Sequence, residues 1–236
     1  MFAAASPVGW SPDRRSFGAK RWWRAEPAGT VNYLGHVAVG LAIGRAEPHF
    51  ALGAALPDLT SMVGIRFDRG RLEGALADGV ACHLAADTAF HDHPAFRSGA
   101  AALRRDLHEA GFATGPRRAI GHAGWELLLD GTLVGTAVED AYRDGLAVGA
   151  VALEAVLPQH RERWSRLLAG GPPPALRYDD PAWVADRLVG RLARRPRLAI
   201  PASQVSLVAD VLADHVDRVH AVAPEVLADV AVALTP

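Results

Sequence analysis

An all-α fold is predicted by three features of the sequence. From Val31 onward apolar residues recur at the i, i+3, i+4 spacing of a helix face nearly throughout. Alternating runs of β-branched and aromatic residues, the mark of strands, are nearly absent. Gly, Pro and Asp fall where helices start and stop.

The segments follow in order. VNYLGHVAVGLAIG (31–44) and HFALGAALPDLTSMVG (49–64) read as two short apolar helices, the second interrupted or ended near Pro57. LEGALADGVACHLAADTAFHD (72–92) is a long helix stopped by Pro94. AFRSGAAALRRDLHEAG (95–111) is amphipathic, with Phe96, Leu103 and Leu107 inward and its arginines outward. Thr114, Gly115 and Pro116 form a turn into a strongly apolar helix over 117–135. Helices are expected over 137–157 and 160–170, followed by a break at GGPPPALRYDD. Asp180 before Pro181 reads as an N-cap with proline at the first helical position, opening a helix over 181–195. Two more fill 201–234, the last starting at Pro224. No internal repeat or clear linker appears, so residues 31–236 are expected to form one domain, a helical bundle with its site within 31–135.

Residues 1–30 differ. They mix turn formers, basic residues and adjacent tryptophans with no period, as a loosely attached arm would. The first ten residues lack the charged region and apolar core of a signal peptide. No apolar run approaches the roughly 20 residues needed to span a bilayer. One cysteine, Cys82, excludes an internal disulfide. These features point to a cytoplasmic protein without stable membrane insertion. The 25 basic and 26 acidic residues nearly cancel, which leaves no global field of the kind that marks a nucleic-acid binder.

The chemistry concentrates in GVACHLAADTAFHDHP (79–94), which holds three histidines and two aspartates. His83 and Asp87 are four residues apart, hence one turn apart on one helix face. His122 and Glu126 repeat the spacing on a second helix. Bundles build metal sites from such inward pairs on facing helices. His91 and His93 could reach the same site from the helix end, and His36 faces an apolar environment. Asp58 ends a hydrophobic run, where a buried carboxylate needs a counter-charge that a cation would supply. Mixed nitrogen and oxygen donors without a thiolate cluster suit Zn²⁺, Mn²⁺ or Fe²⁺. A bland alternative stands beside this one: a non-catalytic all-α protein whose His/Asp pairs tie helices together. His49, His108, His160, His215 and His220 are expected on charged or amphipathic faces, Cys82 as a small buried hydrophobe, and Trp125 in the core.

The order of motifs resembles the acyl-carrier-protein phosphodiesterases, HD-type metal-dependent phosphohydrolases. NYLGH (32–36) looks like their opening Asn-aromatic-Leu-Ala-His stretch, and Gly53 through Asp58 like their Gly-initiated apolar run ending in Asp. Gly79, Val80, His83, Asp87 and Pro94 match their Gly-Ile-x-x-His-x-x-x-Asp helix ending in proline, and HAGWELLL is loosely similar to a later acidic motif. There are departures. His91 stands where the family has a second Asp, Ala54 where it has Asn, and His122 and Glu126 where it has aspartates. Family members start at the residue before the Asn, which implies a translation start at Val31. A second resemblance is to the zinc-dependent phospholipase C and single-strand nuclease group. Its ligand spacing is met by His83, Asp87, His93, His122 and Glu126, with Asp58 as bridging carboxylate.

Both resemblances imply hydrolysis of a phosphate ester by water activated on one or two divalent ions. The ions would sit among His36, Asp58, His83, Asp87, His122 and Glu126. Glu126 is then the candidate general base and Arg97 the candidate charge-stabilising arginine. With holo-acyl carrier protein as substrate, the products would be apo-protein and 4′-phosphopantetheine. Docking that acidic partner would fall to Arg104 and Arg105, Arg117 and Arg118, and Arg194, Arg195 and Arg197.

Overall fold

The computed structural model describes residues 33–170, 176–193 and 195–235, with only the backbone at Met62 and Val63. The expected arm over 1–30, the Val31 start, Asn32 and Arg194 lie outside the described residues.

Among them the chain forms ten α-helices: α1 (Tyr33–Ala42), α2 (Pro48–Val63), α3 (Gly74–Asp92), α4 (Pro94–Glu109), α5 (Thr114–Gly131), α6 (Ala137–Ala147), α7 (Arg161–Ala169), α8 (Pro181–Leu192), α9 (Val205–Ala213) and α10 (Val216–Leu234). The fold is all-α, as expected. Extended pairing among the described residues is limited to an isolated bridge between Phe67 and Val156. No helix among them is long and apolar enough to cross a membrane.

Helix α1 is buried from Tyr33 to Gly40, apolar on nearly every side, and so sits at the centre. Helices α2, α3, α5, α6 and α10 pack around it. The main core joins α1 and α5 to α8, α9 and α10 through Leu34, Leu128, Leu188 and Leu212. A smaller cluster, centred on Leu52, Leu56, Val80 and Trp164, lies beneath the other side of α2. Asp180 caps α8 as its sequence predicts, accepting from the N–H groups of Ala182 at 2.9 Å and Trp183 at 3.3 Å.

Two prolines do not stop their helices. Pro57 lies inside α2, which continues to Val63 and ends on Gly64 in the left-handed conformation. Pro224 lies inside α10 rather than opening it. Each costs one backbone hydrogen bond, but the apolar faces on either side are buried: Leu52, Leu56 and Leu59 in α2, Val219, Val226 and Val230 in α10. Burial of several such side chains outweighs one lost bond. The helix expected over 137–157 also ends early, at Ala147, and the chain continues as a 3-10 turn over Gly149–Ala152. Gly145 lies against the backbone of Ala51 and Leu52, and Gly149 against Leu168, so this stretch folds around α2 and α7.

Candidate metal centre

Helices α2 and α3 cross at two glycines. A Cβ on Gly53 would run into the Leu76 carbonyl oxygen, and one on Gly79 into the Phe50 carbonyl oxygen. Only glycine permits so close an approach of two backbones. Because the helices touch, the His83 side chain on α3 reaches across to α2, and its Nδ1 lies 2.7 Å from the Ala54 carbonyl oxygen. A carbonyl can only accept, so Nδ1 carries the proton and donates it. The Nε2 lone pair is left available, the arrangement by which protein carbonyls orient metal-binding histidines. The His36 ring, from α1, lies 3.9 Å from the His83 ring between centroids. Asp58, one residue beyond the Pro57 interruption, brings Oδ2 to 3.7 Å from His36 Nε2.

His36, Asp58 and His83 are all buried, and together their donor atoms could hold a metal ion. Burial lowers the His36 pKa well below the usual value, and His83 and His91 add to the effect. Burial also lowers His83, against the pull of Asp87, the Ala54 carbonyl and Glu126. Both imidazoles are therefore neutral at neutral pH, the form that binds metals.

A second triad, His91, His122 and Glu126, lies toward solvent and could also hold an ion. Glu126 Oε1 accepts from His91 Nε2 at 2.9 Å and stands 3.2 Å from His122 Nε2. Burial pushes the Glu126 carboxyl up, but the two imidazoles more than offset it and hold it below its usual value. Burial opposes the charged form of His91, and Glu126 and Asp87 overcome it, raising the imidazole. Glu126 Oε2 is buried and accepts no hydrogen bond among the described residues. A buried carboxylate oxygen in that state is an acceptor that a cation would satisfy. The two imidazoles are about 30% exposed, so this triad is the open one.

Asp130, which the sequence reading passed over, connects the two. It is fully buried on α5, one turn beyond Glu126, and meets the N-terminus of α1. The N–H groups of Tyr33, Leu34 and Gly35 donate to its carboxylate at 2.8, 3.1 and 2.8 Å. These are the orphan donors every helix start must satisfy, and the next residue along is His36. Burial pushes the Asp130 carboxyl up to about 8 against those three donors. Its only signal in sequence is an Asp after the apolar run Leu127–Leu129, the feature that drew attention to Asp58.

The remaining candidates divide. Asp87 lies one turn from His83 on α3, as the spacing predicts, and its charge acts on that imidazole, but it joins neither group of donor atoms. His83 is drawn to Ala54, and Asp87 Oδ2 instead lies 3.7 Å from His91 Nδ1, at the edge of the open triad. His93 leaves the ligand set: its Nδ1 accepts from Ala95 N–H as the cap of α4, and its Nε2 lies 3.3 Å from Asp229. Arg97 is exposed on α4 and makes no ion pair or hydrogen bond to a triad residue among the described residues. His49, His108, His160, His215 and His220 join no triad among the described residues. His215 differs from expectation in being buried, its Nε2 2.7 Å from Asp106 Oδ2. Cys82 is fully buried, with its thiol pushed up to about 12, and Trp125 is in the core.

No protein-family model, curated protein or solved structure matches the chain.

Proposed function

We propose that the protein is a metal-dependent phosphoric ester hydrolase holding one divalent ion in each triad. The observation that carries this reading is the assembly, from four helices, of two adjacent groups of imidazole and carboxylate. One of them includes a buried carboxylate oxygen with no hydrogen-bond partner among the described residues. Zn²⁺, Mn²⁺ and Fe²⁺ are the ions that mixed His/Asp/Glu donors favour. Such an ion supplies Lewis acidity and an activated water for in-line attack at phosphorus.

The chain's own residues orient and protect that chemistry. His36, Asp58 and His83 would hold the inner ion in a dry pocket, with Ala54 fixing His83. His91, His122 and Glu126 would hold the outer ion where substrate can reach it. Asp87, with Oδ2 3.7 Å from His91 Nδ1, would accept the proton released from the attacking water.

The acyl-carrier-protein phosphodiesterase reading is preferred over the phospholipase and nuclease reading. In the former the motif position is His91, which lies against Glu126; in the latter it is His93, which is engaged in capping α4. The test begins with metal analysis after expression with Mn, Fe and Zn. About two equivalents are expected, and less than about a tenth of an equivalent would leave only structural His/Asp pairs. Release of 4′-phosphopantetheine from holo-acyl carrier protein should then exceed turnover of phospholipid or single-stranded DNA.

A further inference from the structure

Beside the open triad, the start of α4 lines an open cavity of about 640 Å³, walled by Asp92, Pro94, Phe96, Arg97, Ser98 and Arg104 among others. Phe96 forms both the cavity wall and the edge of the triad: its ring centroid lies 5.1 Å from that of His91 and 5.3 Å from that of His122. Arg104 runs over Gly121, the residue before His122, where a Cβ would collide with its Cγ. The cavity and the triad are therefore neighbours across one aromatic ring and one glycine.

Arg97 and Arg104 are seven residues apart, two turns along one face of α4, with about 10 Å between their Cα atoms along the axis. Neither makes an ion pair or hydrogen bond among the described residues, although Asp92 lines the same cavity. The helix gives them no intrahelical acid. Positions three and four away are His93, Pro94, Ala100 and Ala101 for Arg97, and Ala100, Ala101, Leu107 and His108 for Arg104. Arg143 and Arg166, by contrast, pair with Glu139 and Glu162 on their own helices, while Arg117, Arg118, Arg187 and Arg191 also lack an acid at that spacing. Two guanidiniums that line one cavity can hold an anionic group between them, and guanidinium forks suit phosphate and carboxylate oxygens.

We propose that this cavity binds a second anionic group of the substrate, held by Arg97 and Arg104, while the scissile phosphate lies at the open triad. The substrate class is then a phosphodiester flanked by a further anionic group, for which an added phosphate is the simplest probe, with its apolar connecting part against Pro94 and Phe96. The assignment of the scissile end rests on the hydrolase reading; the anion site itself does not.

The test therefore has two arms. Calorimetric titration of the full-length protein with inorganic pyrophosphate, after chelation, should show binding that R97A/R104A weakens at least tenfold while its far-UV spectrum is unchanged. Equal affinity in both proteins would overturn the site. In the metal-loaded protein, thymidine 5′-(p-nitrophenyl phosphate) bearing a 3′-phosphate should be cleaved with about tenfold higher kcat/KM than the same ester without it. The advantage should vanish in R97A/R104A through KM rather than through kcat. No preference for the added phosphate would overturn the substrate class. Absence of all turnover alongside arginine-dependent pyrophosphate binding would remove the hydrolase reading, and with it the assigned substrate, while keeping the anion site.

Discussion

At the scale of single residues, the candidate site depends on buried carboxylates with different tasks. Glu126 is held ionised between two imidazoles, so Glu126→Gln removes the charge that both triad histidines face. Bound metal should fall from about two equivalents to one, and turnover by roughly a hundredfold or more, with the helical spectrum unchanged. Asp130 works differently, satisfying three helix N–H groups in a dry environment. Asp130→Ala leaves those donors buried without an acceptor and should cost about 3–5 kcal/mol in urea denaturation. Asp130→Asn keeps an acceptor and removes the titration. In the folded chain the Asp130 carboxyl keeps its proton up to about 8, and in the unfolded chain it loses it near 4. The protonated form thus adds stability that is complete below about pH 4 and is lost as pH rises through about 8. Wild-type stability relative to Asp130→Asn should therefore fall steadily from pH 5 to pH 8. A flat difference would mean that the carboxyl is ionised throughout.

At the scale of helices, the crossing of α2 and α3 is what lets His83 reach Ala54. Gly53→Ala or Gly79→Ala would force the backbones apart, at about 3 kcal/mol. Either should also cost the inner triad its ion, because the His83 to Ala54 bond is lost with the crossing. Gly190→Ala, on α8 with open space around it, is the control: it should stabilise by about 0.5–1 kcal/mol and leave metal content unchanged. Denaturation midpoints and metal content together check all three variants. Much at this scale was legible in the sequence. The helical period located the segments, and the Asp180–Pro181 pair marked its helix start correctly. Pro57 and Pro224 misled because proline reports a lost hydrogen bond, whereas the burial of residues on both sides is set by partners distant in sequence.

For the molecule as a whole, the sequence put imidazoles and carboxylates on the right helices but could not divide them. Spacing along one helix gives the pairs His83 with Asp87 and His122 with Glu126. Only the tertiary packing turns His83 toward Ala54, sets His91 between Asp87 and Glu126, and diverts His93 to cap α4. Asp130 was missed for the same reason: its partner is a helix start some ninety residues away. Because ions bound only by the folded state stabilise it by mass action, chelation should lower the thermal midpoint. At metal concentrations a hundredfold above Kd the loss is about 2.7 kcal/mol per site, or about 5–10 °C for a chain of this size. An unchanged midpoint in calorimetry, with and without chelator, would contradict the metal reading.

Helix α5 carries Glu126 at the outer triad and Asp130 at the root of the helix that bears His36. Anything that settles α5 against one ion therefore also settles the donor awaiting the other. Uptake of the two ions should then be cooperative, with an isotherm steeper than independent sites give, and Asp130→Asn should flatten it.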